Sequence, residues 1–454
     1  MTSRSHHSIL RSLPVLLAAV TFSCAPHQQH QANWPNVKVS TPDGGKAATT
    51  NLIAAVEFDE QGDLWDAHQV DQATKMLRNT PKPPLVITFI HGWRHDPRED
   101  DSDLIQFHKF VADLDKQGLA FSVRGVYIGW RGASIDEKLG FVSTIPAVFS
   151  FWDRKQATDR MSNIRLSQTL SKISTTAWKA QGKSVMMGHS FGGRILERTV
   201  GMGMAAQSGN WENYRPLANL VVLVNPASES LNARVIKRGL SGWNKDYPLV
   251  VAVGAKDDGA NGQAWTAGYW LGLRTKTRYY ESTRDKQSSY LADTVTNDPR
   301  QFTHVLENGT ETRKAAIVRT EEVYPLATGS EGETEQWKLN LLDTHHQPDV
   351  DHVLDSKAYW VFQVPTTVLS GHSGDRLQGG IFNKPTTDLL HGIFRSSLTK
   401  QAAGSAPKVP IPVKEPVSQN GGTGTAEGGV AGNPPQKPDP ATAPTTDSVT
   451  MTGN

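Results

Sequence analysis

Cysteine is almost missing from this chain: Cys24 is the only one among 454 residues. No disulfide can close within one chain, so stability in an oxidising compartment has to come from a packed core. An excess of charge is missing too, with 47 Lys and Arg against 45 Asp and Glu. Removing the segment ahead of Cys24 takes away Arg4 and Arg11 and no acid, which leaves the remainder balanced. A nucleic-acid binder would show a basic excess or stripe, and none is visible, so no nucleic acid is expected as a partner. Nor is there an apolar run long enough for a stable transmembrane helix. Aromatic residues vanish after position 400. Residues 401–454 hold nine prolines and eight glycines and no aromatic at all, which predicts a disordered tail unable to offset its chain entropy.

What is present begins with an address. Arg4 and Arg11 precede the apolar run Leu13-Pro14-Val15-Leu16-Leu17-Ala18-Ala19-Val20-Thr21-Phe22, which ends at Ser23-Cys24-Ala25. That order is the pattern of an export signal. Cys24, behind a small residue, reads as the acylation site of a bacterial lipoprotein, with membrane attachment through the lipid. The alternative is plain secretion by cleavage near Ala25. The expected organisation is a signal peptide over 1–23, a tether over 24–50, one domain over 51–400 and the tail. The expected place is the cell envelope, lipid-anchored at the outer membrane, or periplasmic or secreted.

Inside the domain, continuous apolar runs at 85–90, 123–130, 185–188, 220–224, 249–253 and 360–369 alternate with helical spacings, such as that over 66–77. An earlier run at 52–58 is a plausible first strand. Such runs suit parallel strands buried on both faces, with helices as crossovers. The fold class this predicts is α/β, a doubly wound and mainly parallel sheet. Two stretches break the alternation. Residues 140–152 are apolar and aromatic without strand or helix periodicity, and read as core packing or as a lid. Residues 274–345 are polar and read as a surface insertion, which could form part of a cap.

The densest signal is Gly188-His189-Ser190-Phe191-Gly192-Gly193, between the run Ser184-Val185-Met186-Met187 and the helix-like Arg194-Ile195-Leu196-Glu197-Arg198. Strand, tight turn and helix around G-x-S-x-G make a nucleophile elbow. Its glycines are needed because a Cβ there would meet the neighbouring strand or helix. Its strain presents the serine hydroxyl at the carboxyl edge of a sheet. Phe191, at the start of the helix, supplies one backbone N–H for an oxyanion. The loop His91-Gly92-Trp93 supplies another, from Trp93 or failing that Gly92. His91 is expected to fix that loop by a hydrogen bond, and His189 to be a packing residue.

With these residues in view, the chain from roughly 84 to 395 resembles the α/β-hydrolase superfamily, and most closely a poorly characterised bacterial branch of esterases and lipase-like proteins. The matching pieces are Phe89-Ile90-His91-Gly92-Trp93, Gly129-Trp130-Arg131-Gly132, Phe151-Trp152-Asp153-Arg154-Lys155, the elbow, and Asn225-Pro226-Ala227. The resemblance implies the α/β-hydrolase fold, and a triad in the order serine, acid, histidine, with Ser190 as nucleophile. Beyond the acid stand His304, His345, His346, His352, His372 and His391. The base belongs in the turn after the last strand, where Ser370-Gly371-His372-Ser373-Gly374-Asp375 stands, so His372 is chosen. The acid belongs after the strand at 249–253, where Asp257 and Asp258 are neighbours and only one can face the imidazole. The resemblance favours Asp258, in an Asp-x-Ala arrangement, while Asp257 suits the general pattern nearly as well.

The activity so implied is hydrolysis of a small-molecule or lipid-like carboxylic ester with no cofactor and no metal. An acyltransferase or a peptidase would share the first step. A silent binding protein of the same fold is the reading of another class. The run Asp343-Thr344-His345-His346-Gln347-Pro348-Asp349-Val350-Asp351-His352 has metal-ligand residue types but no spacing that names a metal, and reads as a solvated loop. Trp93, Phe191, Trp130 and Trp152 line an apolar pocket or belong to the core.

Overall fold

Seven parallel strands carry the chain, and each is apolar for the reason read from its sequence: helices cover both faces. In the computed structural model the residues described are 28–31, 37–41, 45, 47–132, 144–205, 216–265, 291, 293–308, 317–329, 333–343, 357–374 and 380–403. Cys24, the stretch before it and the expected tail beyond 403 lie outside them, as do residues 344–356 with His345, His346 and His352. No helix among the described residues is long and apolar enough to cross a membrane.

The elements run β1 Val37–Val39, β2 Ala48–Thr50, β3 Ile53–Glu57, α1 Ala67–Arg78, β4 Pro84–Ile90, α2 Ser102–Asp115, β5 Ser122–Gly129, α3 Thr144–Met161, α4 Ile164–Lys179 and β6 Lys183–His189. They continue with α5 Phe191–Leu196, β7 Leu220–Val224, α6 Ser230–Gly239, β8 Val250–Ala255, β9 His304–Glu307, β10 Ile317–Leu326, β11 Glu335–Leu342, β12 Tyr359–Val364 and α7 Lys384–Ala403. The main sheet has the order β12-β8-β7-β6-β4-β5-β3. Every pairing in it is parallel.

Alternation along each strand sorts the core into two layers. Ile87 and Phe89 of β4 pack with Phe107, Phe110 and Val111 of α2 and with Leu390 and Phe394 of α7. Val86 and Ile90 face the other way, toward Val70 of α1, Leu170 and Ile173 of α4 and Ile195 of α5. The helices are started by short polar side chains. Asp66 caps α1 by accepting the His68 N–H, and Asn163 caps α4 by accepting that of Leu166.

Four expectations need correction in detail. The last strand ends at Val364 rather than reaching 369, because Pro365 opens a turn in which its carbonyl accepts the Val368 and Leu369 N–H groups. Residues 144–152 are helical, as the first half of α3, although their sequence shows no helical period. Pro146 falls in the first turn of α3, where a missing N–H costs nothing. The polar span 274–345 contains the antiparallel sheet β10-β11-β9. There Trp337 and Leu339 alternate with more exposed neighbours and enter the first core layer with Tyr324 and Leu326. Within the expected tether, β1 and β2 pair antiparallel and Val37 and Val39 are buried. Ahead of them the N–H groups of His30 and Gln31 donate to the buried Glu57 carboxylate at 2.7 and 2.8 Å. The Gln31 amide donates to the Pro97 carbonyl at 2.9 Å.

Candidate active site

Ser190 sits where β6 turns into α5, with φ +54° and ψ −117°. That conformation is costly for any residue with a Cβ and persists only where the surroundings impose it. They do so here through close contacts that only glycine allows. A Cβ on Gly188 would lie 2.5 Å from the Gly192 carbonyl oxygen, and one on Gly192 would lie 2.0 Å from that of Ile90. The turn is also bonded to its neighbours. The Ser190 N–H donates to the Val224 carbonyl, and the Ser190 carbonyl accepts from Ala227 and Arg194.

The structure brings together the three residues singled out from three separate loops. His372 Nε2 lies 2.6 Å from Ser190 Oγ, and His372 Nδ1 lies 2.9 and 3.0 Å from the two Asp258 oxygens. The Asp258 side chain is fully buried and that of His372 is 18% exposed. Asp258 Oδ1 also accepts the Asn261 N–H at 2.9 Å. Asp257, its neighbour, points elsewhere: its Oδ1 accepts the Gly371 N–H at 2.7 Å. Adjacent side chains in a turn diverge, and here one reaches the imidazole while the other reaches the backbone beside it.

Phe191 opens α5, so its N–H is among the first four that find no partner inside a helix. The loop after β4 presses on Ser190, since a Cβ on Gly92 would stand 3.0 Å from that of Ser190. Trp93 follows directly, half-buried, with the Arg94 guanidinium 4.2 Å above its ring and Phe151 edge-on at 5.5 Å. Phe191, Trp130 and Trp152 are buried, and Phe151 also packs on Phe191 at 4.7 Å. These aromatics are wall and core together: α3 lays Phe151 beside both loops that border Ser190.

His91 locks the loop. Its Nδ1–H donates to the Gly92 carbonyl at 3.0 Å, while Nε2 accepts the Trp130 N–H at 3.1 Å. The Trp130 indole N–H returns a bond to the His91 carbonyl at 3.0 Å. Sandwiched between Tyr127 and Trp130, the ring is buried, and burial lowers its pKa to about 4. His189 is buried as well, and burial followed by the neighbouring His372 holds it well below the ordinary value. It does more than pack, because its Nε2–H donates to the His372 carbonyl at 3.0 Å.

Behind α5 lies a buried ionic cluster that the sequence did not reveal. Arg194 binds Glu229, Asp159 at 2.9 Å and Thr158 at 3.0 Å, and Lys155 binds Glu229 at 2.8 Å. Burial opposes ionisation of Glu229, but Arg194 and Lys155 outweigh it and hold the carboxyl far below its usual range. Lys155 belongs to the Phe-Trp-Asp-Arg-Lys motif, whose part here is to tie α3 to the elbow helix and to the loop after β7.

Asn225, named in sequence only as part of the Asn-Pro-Ala piece of the resemblance, has a role there that sequence reading missed. It is fully buried, stands at φ +44°, and its side chain reaches both the loop with Asp258 and the loop with His372. Its Oδ1 accepts the Ala255 N–H at 2.7 Å, and its Nδ2 donates to the carbonyls of Gly371 at 3.0 Å and His372 at 2.7 Å. The signal available was Asn-Pro directly after a buried strand, level with the elbow. Among the described residues no group of three or more His, Cys, Asp or Glu side chains is arranged to hold a metal. No protein-family model matches the chain, and no curated protein does.

Proposed function

We propose that the chain is a serine hydrolase of the α/β-hydrolase type that cleaves carboxylic esters. The observation that carries the reading is the unbroken line of hydrogen bonds from Asp258 through His372 to Ser190 Oγ, at a strained elbow between a strand and a helix. His372 Nε2 takes the proton of Ser190 as Oγ attacks the ester carbonyl, and Asp258 holds the Nδ1–H tautomer and stabilises the imidazolium. The N–H groups of Phe191 and Trp93 receive the developing oxyanion. Collapse of the tetrahedral intermediate expels the alcohol, which takes its proton from His372. Water, deprotonated by the same histidine, then releases the acid from Ser190. A base, an acid and oxyanion donors are all this chemistry asks for, so neither metal nor cofactor enters the scheme.

The sequence signals at 1–25 place this activity, in the same proposal, in a bacterial envelope, attached through acylated Cys24. The substrate class is then a small or lipid-like ester met outside the cytoplasm. The experiment is labelling of the full chain with a fluorophosphonate, which reacts preferentially with an activated serine. Wild type is expected to label at Ser190, and Ser190→Ala is expected not to. A properly folded wild type that takes no label overturns the reading.

A further inference from the structure

We propose that Asn225 and Asp257 are positioning residues for the base: they hold the Gly371–His372 backbone so that the imidazole spans Ser190 and Asp258. This deepens the hydrolase reading and rests on it. The starting point is a mechanical weakness. His372 sits on a turn at the open edge of the sheet, and residues 371–374 are all partly exposed. Gly371 stands at φ +61°, with nothing within 4 Å of where a Cβ would be. Apolar packing does not fix such a turn.

Hydrogen bonds to its backbone do. The Gly371 N–H goes to Asp257, the Gly371 carbonyl to Asn225, and the His372 carbonyl to both Asn225 and His189. Asn225 matters most because its other side-chain atom and its backbone serve the acid. Oδ1 takes the Ala255 N–H at the end of β8, and the Asn225 carbonyl accepts the amide of Asn261, whose own N–H binds Asp258. One side chain therefore sets the distance between acid and base. Only an amide offers a donor to two carbonyls and an acceptor to an N–H at once. A carboxylate there would set an oxygen against two carbonyl oxygens and a negative charge beside the imidazole. Asparagine is also among the residues that tolerate positive φ.

Asp257 and Asp258 thus differ in kind. Asp258 faces an imidazole that becomes charged during turnover, so its own charge is required. Asp257 faces a neutral peptide N–H, so an acceptor oxygen suffices.

The test uses the full chain, a short p-nitrophenyl ester and the low-field Nδ1 proton resonance of His372, which needs no substrate. Asp257→Ala is expected to lower kcat by about 10- to 100-fold with KM little changed, the cost of a misplaced catalytic group. It should also broaden or shift the Nδ1 resonance. Asp257→Asn should recover most of the loss. Asn225→Ala should lower kcat at least as far. Asn225→Asp should lower it too, and move the pH–rate profile toward alkaline pH, because the added charge favours the imidazolium. Wild-type kcat in Asp257→Ala, or equal damage from Asn and Ala at 257, overturns the proposal. The two readings fail separately. A wild type that neither turns over nor labels defeats the hydrolase reading. An Nδ1 resonance unmoved in Asp257→Ala and Asn225→Ala defeats positioning alone.

Discussion

His372 and His91 stand at the same edge of one sheet, on the loops after β12 and β4, yet the chain has made opposite things of them. His372 is partly open to solvent, keeps a carboxylate on one nitrogen and a hydroxyl on the other, and can carry a proton between states. His91 is sealed between two aromatic rings, with a backbone carbonyl on one nitrogen and a backbone N–H on the other. Its Nε2 must stay a lone pair to accept from Trp130, so protonation would break the loop it secures. The difference teaches that partners, more than residue type or proximity to a nucleophile, decide whether a histidine is chemistry or scaffold.

The sharpest way to break that contrast is to remove the base. His372→Ala should cost about six orders of magnitude in kcat, as for members of a catalytic triad, while ester binding survives. Stopped assays on the purified variant measure it, and a loss under tenfold would put the base elsewhere. Asp258→Asn comes next, at about four orders of magnitude, because a neutral partner favours the wrong tautomer.

His91→Gln should fall far short of both. Its amide oxygen can take over the Trp130 N–H, but the Gly92 carbonyl loses its donor and the Tyr127 and Trp130 rings lose the ring stacked on them, which costs about 1–3 kcal/mol of stability. Chemical denaturation reads that loss, and turnover should fall only as far as the Gly92–Trp93 loop shifts. If His91→Gln instead matched His372→Ala in kcat with stability intact, His91 would be chemistry after all.

How much of this was legible in advance follows from where each signal lives. The strands showed as continuous apolar runs because both their faces are covered, and the elbow showed because its glycines answer to local geometry. Ser190 was picked out by the elbow and His372 by the turn after the last strand; strand ends narrowed the acid only to Asp257 or Asp258, and the resemblance favoured Asp258. The part of Asn225 did not show, since it depends on two loops that lie 30 and some 146 residues away and meet only in three dimensions. β10 and β11 were obscured because most of β10 is exposed and β11 buries only part of its length, so neither reads as an apolar run. The buried pairing of Lys155 and Arg194 with Glu229 could not be read either, because charged residues in sequence look like surface.

The remaining effect expected falls on stability alone, through its pH dependence. His91 and His304, whose pKa values burial lowers to about 4 and about 3, stay neutral in the folded chain. Unfolded, each binds its proton near the ordinary 6.5. The unfolded state therefore holds more protons between those values, so stability present above pH 6.5 is lost as the pH falls toward 4. Each group adds a slope of up to ~1.4 kcal/mol per pH unit. Thermal unfolding from pH 7 to 4 should show the decline, and His304→Leu should flatten it. An unchanged slope would mean that His304 titrates alike in both states.

The docking of His30 and Gln31 on Glu57 sets the length of a leash. Glu57 pairs with Gly129, one residue past the level at which Ile128, Ile90 and Gly188 align, so it stands at the same rim as Ser190. Three strand spacings separate β3 from β6, roughly 15 Å across the sheet. Cys24 lies six residues before His30, and six residues fully extended reach about 20 Å. A free tether running to residue 50 would reach about four times as far. Were Cys24 acylated as proposed, Glu57 would stand within about 20 Å of the attachment point for as long as His30 and Gln31 hold it.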